Sequence, residues 1–242
     1  MQCTDVKLSF TVSEKSDSAV PVIIVSAGKS SRMGGANKQL LPICGVPVIA
    51  RTLTVFENSP FISRIILVAR DEDITEMQII AQKYGIEKLT DIVAGGKERR
   101  DSVKNGLERL TDDEKKVLIQ DGARPFGDDA MISAAVLALE SFDASVCAVK
   151  VIDTVKRADD NGTVMGTVDR EGLYSVQTPQ GVDVDKYREA MLRFADENVT
   201  DDASLMEKAG YSVKIVEGSR KNIKITTPDD VEFAEIIIRG QQ

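Results

Sequence analysis

The chain has 242 residues, is 42% hydrophobic and carries a net charge of −8, enough for one large core and acidic enough to repel nucleic-acid backbones and anionic lipid, so neither is an expected partner. It contains no histidine, which excludes Ser-His-Asp and Cys-His nucleophile systems and histidine-ligated zinc. Cys3, Cys44 and Cys147 are too scattered for a disulfide framework or a C-x-x-C site, and no leader or membrane-length apolar run is visible, so a cytoplasmic protein is expected.

Residues 1–20 are polar, with weak alternation at Val6, Leu8, Phe10 and Val12, and read as a tail or an added edge strand. Residues 21–242 read as a single domain. Short β-branched runs at Val22–Val25, Arg64–Ala69 and Asp91–Val93 alternate with helical periods over Pro47–Phe56, Ile74–Tyr84 and Asp101–Leu110. The rhythm continues through a strand at Val117–Gln120, a helix over Asp128–Ser141 and a strand at Ser145–Val149. This is the pattern of an α/β, Rossmann-like, mostly parallel sheet with helices on both faces.

Between about residues 153 and 175 the rhythm breaks into two polar alternating segments around Asp159-Asp160-Asn161-Gly162, the signature of a protruding β-hairpin arm with little core of its own. Helical spacing returns at Tyr187, Ala190, Met191 and Phe194 and again over Asp201–Ala209. Strands are expected at Val213–Val216 and Ile223–Thr226, and a last helix opens at Pro228-Asp229-Asp230.

Three segments at strand ends could carry chemistry. Ser26-Ala27-Gly28-Lys29-Ser30-Ser31-Arg32-Met33-Gly34-Gly35-Ala36-Asn37-Lys38 follows the first strand and matches neither G-x-G-x-x-G nor the P-loop. Between Ser18 and Phe56 there is no acid, while Lys29, Arg32, Lys38 and Arg51 are basic. Read alone, such a loop is either solvated surface or a phosphate cradle; its place after a buried strand favours the cradle, and its charge favours a triphosphate. The second segment, Gly95-Gly96-Lys97-Glu98-Arg99-Arg100-Asp101-Ser102, opens a helix. Ser102 could contact a base or ribose there, though Asp101 or Ser102 as a simple N-cap is the plainer reading. In the third, Gln120-Asp121-Gly122-Ala123-Arg124, Asp121 can hold Mg²⁺ or a hydroxyl and Arg124 can clasp a phosphate, unless the two form only a surface pair.

Other polar runs, namely Asp153-Thr154-Val155-Lys156-Arg157, Val168-Asp169-Arg170, Gln177-Thr178-Pro179-Gln180, Thr200-Asp201 and Asn222-Ile223-Lys224-Ile225-Thr226, would each pass as a turn or cap in isolation. Taken in order, however, all these segments resemble the 2-C-methyl-D-erythritol 4-phosphate cytidylyltransferases from about Pro21 to about Ile238. The resemblance implies CMP transfer from CTP to that polyol phosphate with release of pyrophosphate, on the route to isoprenoid precursors that bypasses mevalonate.

It also implies roles. Ala27 and Gly28 would hold the triphosphate, with Arg32 and Lys38 neutralising it. Gly96 and Ser102 would lie at the cytosine, and Asp121, Gly122 and Ala123 near the ribose and a metal. Asp121, Arg124, Thr154, Arg170, Thr178, Thr200 and Lys224 would surround the polyol phosphate. Mg²⁺ or another divalent cation is implied, with Asp121 as its ligand, and so is a homodimer in which the arm carries Thr154 and Arg170 to the neighbouring site. The chain departs from the usual family pattern at Ser30, where a second glycine is common, at Asn37, where proline is usual, and at Lys97, which replaces an acid. A phosphate monoester is already largely dianionic at neutral pH, so its attack on the α-phosphorus needs no general base. The electrostatic work falls to Arg32, Lys38 and Lys224. The rival readings are a ribitol-5-phosphate cytidylyltransferase, disfavoured by the pairing of Asp-Thr-Val-Lys-Arg with Val-Asp-Arg, and a non-catalytic nucleotide-binding module, disfavoured by the intact Arg32, Lys38, Asp121 and Lys224.

Overall fold

A computed structural model describes residues 16, 18–28, 37–197 and 199–240. Most of the expected tail, and residues 29–36 with Arg32 and Ser30, lie outside the described residues. The elements, in order, are β1 (Val20–Val25), a short hairpin of β2 (Pro42–Ile43) and β3 (Val46–Pro47), α1 (Val48–Glu57), β4 (Ile62–Ala69), α2 (Ile74–Lys83), β5 (Leu89–Ala94) and α3 (Arg99–Leu107). Then come β6 (Lys116–Asp121), α4 (Asp129–Ala138), β7 (Ala144–Lys150), the arm strands β8 (Val155–Ala158) and β9 (Val164–Val168), β10 (Tyr174–Asp183), α5 (Val184–Arg193), α6 (Asp202–Lys208), β11 (Val213–Glu217) and α7 (Pro228–Arg239).

Seven strands form one sheet in the order β11-β7-β10-β6-β1-β4-β5. Pairings are parallel except at β10, which runs antiparallel to both β6 and β7. Because the sheet is covered twice, its strands divide their side chains by period two. Val22, Ile24, Ile65 and Leu67 face α1, α2 and α4 through Ile49, Leu53, Met77 and Ile132. Ile23, Ile66, Val68 and Ile119 face α3, α5 and α6 through Val103, Tyr187 and Leu205. A third cluster, with Ile43, Phe126, Ile225, Ala234 and Ile238, seats α7 and the β2–β3 hairpin on the rest of the molecule.

Three differences from the sequence reading have physical causes. First, β10 holds Gln177-Thr178-Pro179-Gln180 inside a central strand; pairing with β7 is irregular between Val176 and Gln180, and that irregularity is where a proline, which cannot donate to a ladder, is tolerated. Second, Ile223–Thr226 is not a strand. Its alternation arises because Ile225 fills the third cluster, and a backbone bond from Ile225 N–H to Ala123 O, 2.8 Å, ties it to the turn that follows β6 rather than to a strand. Third, the N-cap of α3 is Glu98, not Asp101 or Ser102; Asp101 instead accepts from the Glu98 N–H at 3.1 Å. The arm is as expected. Strands β8 and β9 pair only with each other, and Asp159 Oδ1 closes their turn by accepting from Asn161 and Thr163 N–H.

Candidate active site

The carboxyl ends of β1, β5 and β6 open onto a cleft of about 180 Å³, the place where α/β sheets of this kind bind ligands. Ala27, Gly28, Lys38, Gly96, Ser102, Asp121 and Ala123 line it, so the described residues expected at the nucleotide meet there except Gly122, which is not part of the lining. Close approach is built into the walls. A Cβ on Gly95 would lie 2.2 Å from the Ala27 Cβ and 2.9 Å from Ser102 Oγ, and one on Gly122 would lie 2.9 Å from the Ser26 Cβ. The two glycines thereby let three strand ends meet. Ser102 is 3% exposed; its hydroxyl donates to Glu98 O and accepts from Gly96 N–H, both at 3.1 Å. It therefore shapes the turn bearing Gly96. Asn37, the departure from proline, donates to Asp73 at 2.7 Å and accepts from Gln39 N–H at 3.1 Å, which fixes the backbone just before and after Lys38.

A second cleft of about 450 Å³ adjoins the first and is lined by Arg124, Gln177, Thr178, Thr200 and Asp201. The two share Asp121, Arg99 and Lys224. At this junction Asp121 Oδ2 meets Lys224 Nζ at 2.8 Å and Arg124 Nε at 3.4 Å, while Oδ1 meets Arg99 Nε at 3.5 Å. Burial opposes the Asp121 charge, but Lys224, Arg99 and Arg124 outweigh it and hold the carboxyl at about 2. Arg99 in turn forks onto Asp202 at 2.6 and 3.0 Å, and the Tyr187 hydroxyl donates to Asp202 at 2.6 Å. Burial works against the Arg99 charge, yet Asp202 and Asp121 keep its pKa above the ordinary guanidinium value. Three cations against two carboxylates leave the junction with a surplus positive charge, before Lys38 is added.

The backbone N–H of Asp121 donates to Thr178 Oγ1 at 3.0 Å, and Asn222 holds the Thr178 carbonyl at 2.9 Å while its own carbonyl accepts from Arg124 at 2.8 Å. Thr178 thus orients Asp121 from a buried position, whereas Thr200 is exposed on the rim. Thr154 and Arg170 are exposed on the arm and line neither cleft of their own chain; Arg170 donates to Ile152 O. Gly95, Arg99 and Asn222, which stand in the motif segments without a role of their own, and Gln39 and Asp202 also shape the site. The signal for the Arg99–Asp202 pair was a second acid directly after a cap residue, Asp201, whose side chain accepts from Ser204 N–H. Among the described residues no group of three or more His, Cys, Asp or Glu could hold a metal ion.

The model of the family IspD, 2-C-methyl-D-erythritol 4-phosphate cytidylyltransferase, matches residues 20–240. The chain belongs to this cytidylyltransferase family. A protein of that name from Halalkalibacterium halodurans is 44% identical over 224 residues, covering 91% of this chain and 97% of the relative, and one from Alkaliphilus oremlandii is 43% identical over 93% and 97%. A crystal structure of 4-diphosphocytidyl-2C-methyl-D-erythritol synthase from Anaerococcus prevotii superposes with a TM-score of 0.81 at 32% identity, covering 92% of this chain and all of that one. In this cytidylyltransferase, then, the paired clefts and the cationic junction sit on the family's own fold.

Proposed function

We propose that this protein transfers CMP from CTP to 2-C-methyl-D-erythritol 4-phosphate and releases pyrophosphate. The observation that carries the reading is the junction: two clefts, one lined by glycines and backbone at strand ends, the other by Arg124, Thr178 and Thr200, share Asp121, Arg99 and Lys224. A nucleotide in the first and a polyol phosphate in the second would meet beside a surplus of positive charge.

The reaction is an in-line displacement. A phosphate oxygen of the acceptor forms a bond to the α-phosphorus, and the bond to the bridging oxygen of the β-phosphate breaks. The acceptor's second pKa is about 6, so it arrives as a dianion and no side chain need take its proton. A chain without histidine loses nothing by this. Repulsion between the two anions is the obstacle, and Lys38, Lys224 and, from the sequence, Arg32 offset it. Arg124 and Thr200 would hold the acceptor, while Gly96 and Ser102 would define the base pocket. Asp121, the one aspartate shared by the two clefts, would take a divalent cation arriving on the triphosphate by giving up part of its contact with Lys224 and Arg124, because Mg²⁺ is commonly bound through one or two carboxylates and substrate phosphates. Asp121 would hold it, and when bound it would spread charge from the transferring group.

The exposed arm, with Ile152, Val164 and Met165 all more than half exposed, suits a homodimer in which Thr154 and Arg170 complete the partner's site. No described helix is long and apolar enough to cross a membrane, in keeping with a cytoplasmic enzyme. Pyrophosphate release with CTP, Mg²⁺ and either methylerythritol phosphate or ribitol 5-phosphate tests the proposal. Turnover should strongly favour the first acceptor; preference for the second, or release from neither, would replace it with one of the rival readings.

A further inference from the structure

Adjacent arginines at the start of α3 reach the same distant stretch of chain by different means. Arg99 takes the Asp202 carboxylate. Arg100 lines neither cleft and turns instead to the end of α5, where its guanidinium donates to the carbonyls of Phe194 at 2.6 Å, Ala195 at 3.1 Å and Glu197 at 3.4 Å, and to Met191. The last carbonyls of a helix have no partner within it, so a cation that collects several of them fixes where the chain leaves the helix. What leaves α5 here is the stretch that delivers Thr200 and Asp201 to the second cleft.

We infer that Arg100 is a positioning residue for the acceptor site, holding the exit of α5 so that Thr200 and Asp201 stand in register with Arg124 and Lys224. The inference rests on the reading of the second cleft as the polyol-phosphate site. A contact with similar chemistry provides the contrast. Arg188 of α5 donates to Leu107 O at the end of α3, 2.9 Å, so the two helices cap each other's C-termini, but Arg188 acts at the far end of α3 from the clefts. If Arg100 only glued α3 to α5, losing either arginine would look the same.

The test compares Arg100→Ala, Arg100→Lys and Arg188→Ala with the wild type in steady-state kinetics and in hydrogen exchange of peptides covering residues 199–204. Arg100→Ala should raise the KM for methylerythritol phosphate about tenfold, equivalent to about 1.4 kcal/mol, while the KM for CTP and kcat stay within about twofold. Exchange at 199–204 should quicken without change in the β-sheet peptides. Arg100→Lys, which keeps a charge but loses the fork, should fall between. Arg188→Ala should alter neither the acceptor KM nor the 199–204 exchange, whatever it costs in Tm. An unchanged acceptor KM in Arg100→Ala, or the same shift in both arginine variants, would overturn the inference. Wild-type protein that turns over no polyol phosphate would instead sink the functional reading, and the exchange contrast alone would then decide whether Arg100 orders 199–204.

Discussion

Replacing Asp121 by asparagine preserves shape and the backbone bond to Thr178 but removes the charge that Lys224, Arg99 and Arg124 surround. The magnitude follows from the carboxyl's displacement from 3.8 to about 2. The side chain is only 11% exposed, so solvent screens little of it, and the shift corresponds to about 2 kcal/mol of folded-state stability. For a chain of this size that is a fall in Tm of about 4–8 °C at pH 7. The folded pKa lies below the unfolded one, so the contribution is fully present above pH 3.8 and is lost as pH falls through about 2; by pH 3 roughly half should remain. Thermal unfolding of wild type and Asp121→Asn, followed by circular dichroism at pH 7, 4 and 3, measures this. Equal Tm values at pH 7, or a gap that does not narrow toward pH 3, would refute the reasoning.

Further outcomes are expected from the same geometry. Lys38→Ala should fold normally yet lose kcat by a factor on the order of 10²–10³, the usual cost of removing one preorganised charge-stabilising donor; near-normal turnover removes Lys38 from the mechanism. Gly122→Ala should lower both Tm and CTP affinity, because the added methyl would sit 2.9 Å from the Ser26 Cβ, and calorimetric CTP titration with unchanged affinity would contradict it. With no histidine to titrate, kcat/KM for the acceptor should rise through about pH 6 with the substrate's own phosphate and stay flat to about pH 8; a descending limb below pH 8 would point to an enzyme group. If the arm serves the neighbouring site, mixing refolded Lys38→Ala and Arg170→Ala chains should restore about a quarter of wild-type activity, since half the dimers are mixed and each holds one intact site of two. No recovery on mixing would place Arg170 in its own subunit's chemistry or outside it.

The parallel part of the fold was legible because β1 and β4 must bury both faces and so spell out unbroken apolar runs between helical periods. The antiparallel β10 was not, for a reason tied to function: Thr178 and Gln180 are polar because one orients Asp121 and the other donates to Asp201 at 2.9 Å, so a buried central strand carries the composition of a loop. Ile223–Thr226 failed in the opposite direction, its period-two pattern coming from one isoleucine plugging a cluster rather than from a ladder. The β2–β3 hairpin turns on Cys44 and Gly45 at φ 47 and 77°, and a cysteine in the left-handed region gives no turn signal. Within the site, Gly28, Lys38, Gly96 and Asp121 are legible as candidates because small or charged residues at strand ends suit a phosphate, whereas Arg99 and Asp202, 103 positions apart, become partners only once α3 and α6 lie on the same face of the sheet.

A crystal structure with a non-hydrolysable CTP analogue and 2-C-methyl-D-erythritol 4-phosphate bound together tests the central claim most directly. The account predicts the triphosphate against Ala27, Gly28 and Lys38, the acceptor phosphate between Arg124 and Lys224, and the two facing each other across Asp121. An acceptor seated away from the second cleft, or a nucleotide outside the first, would contradict it.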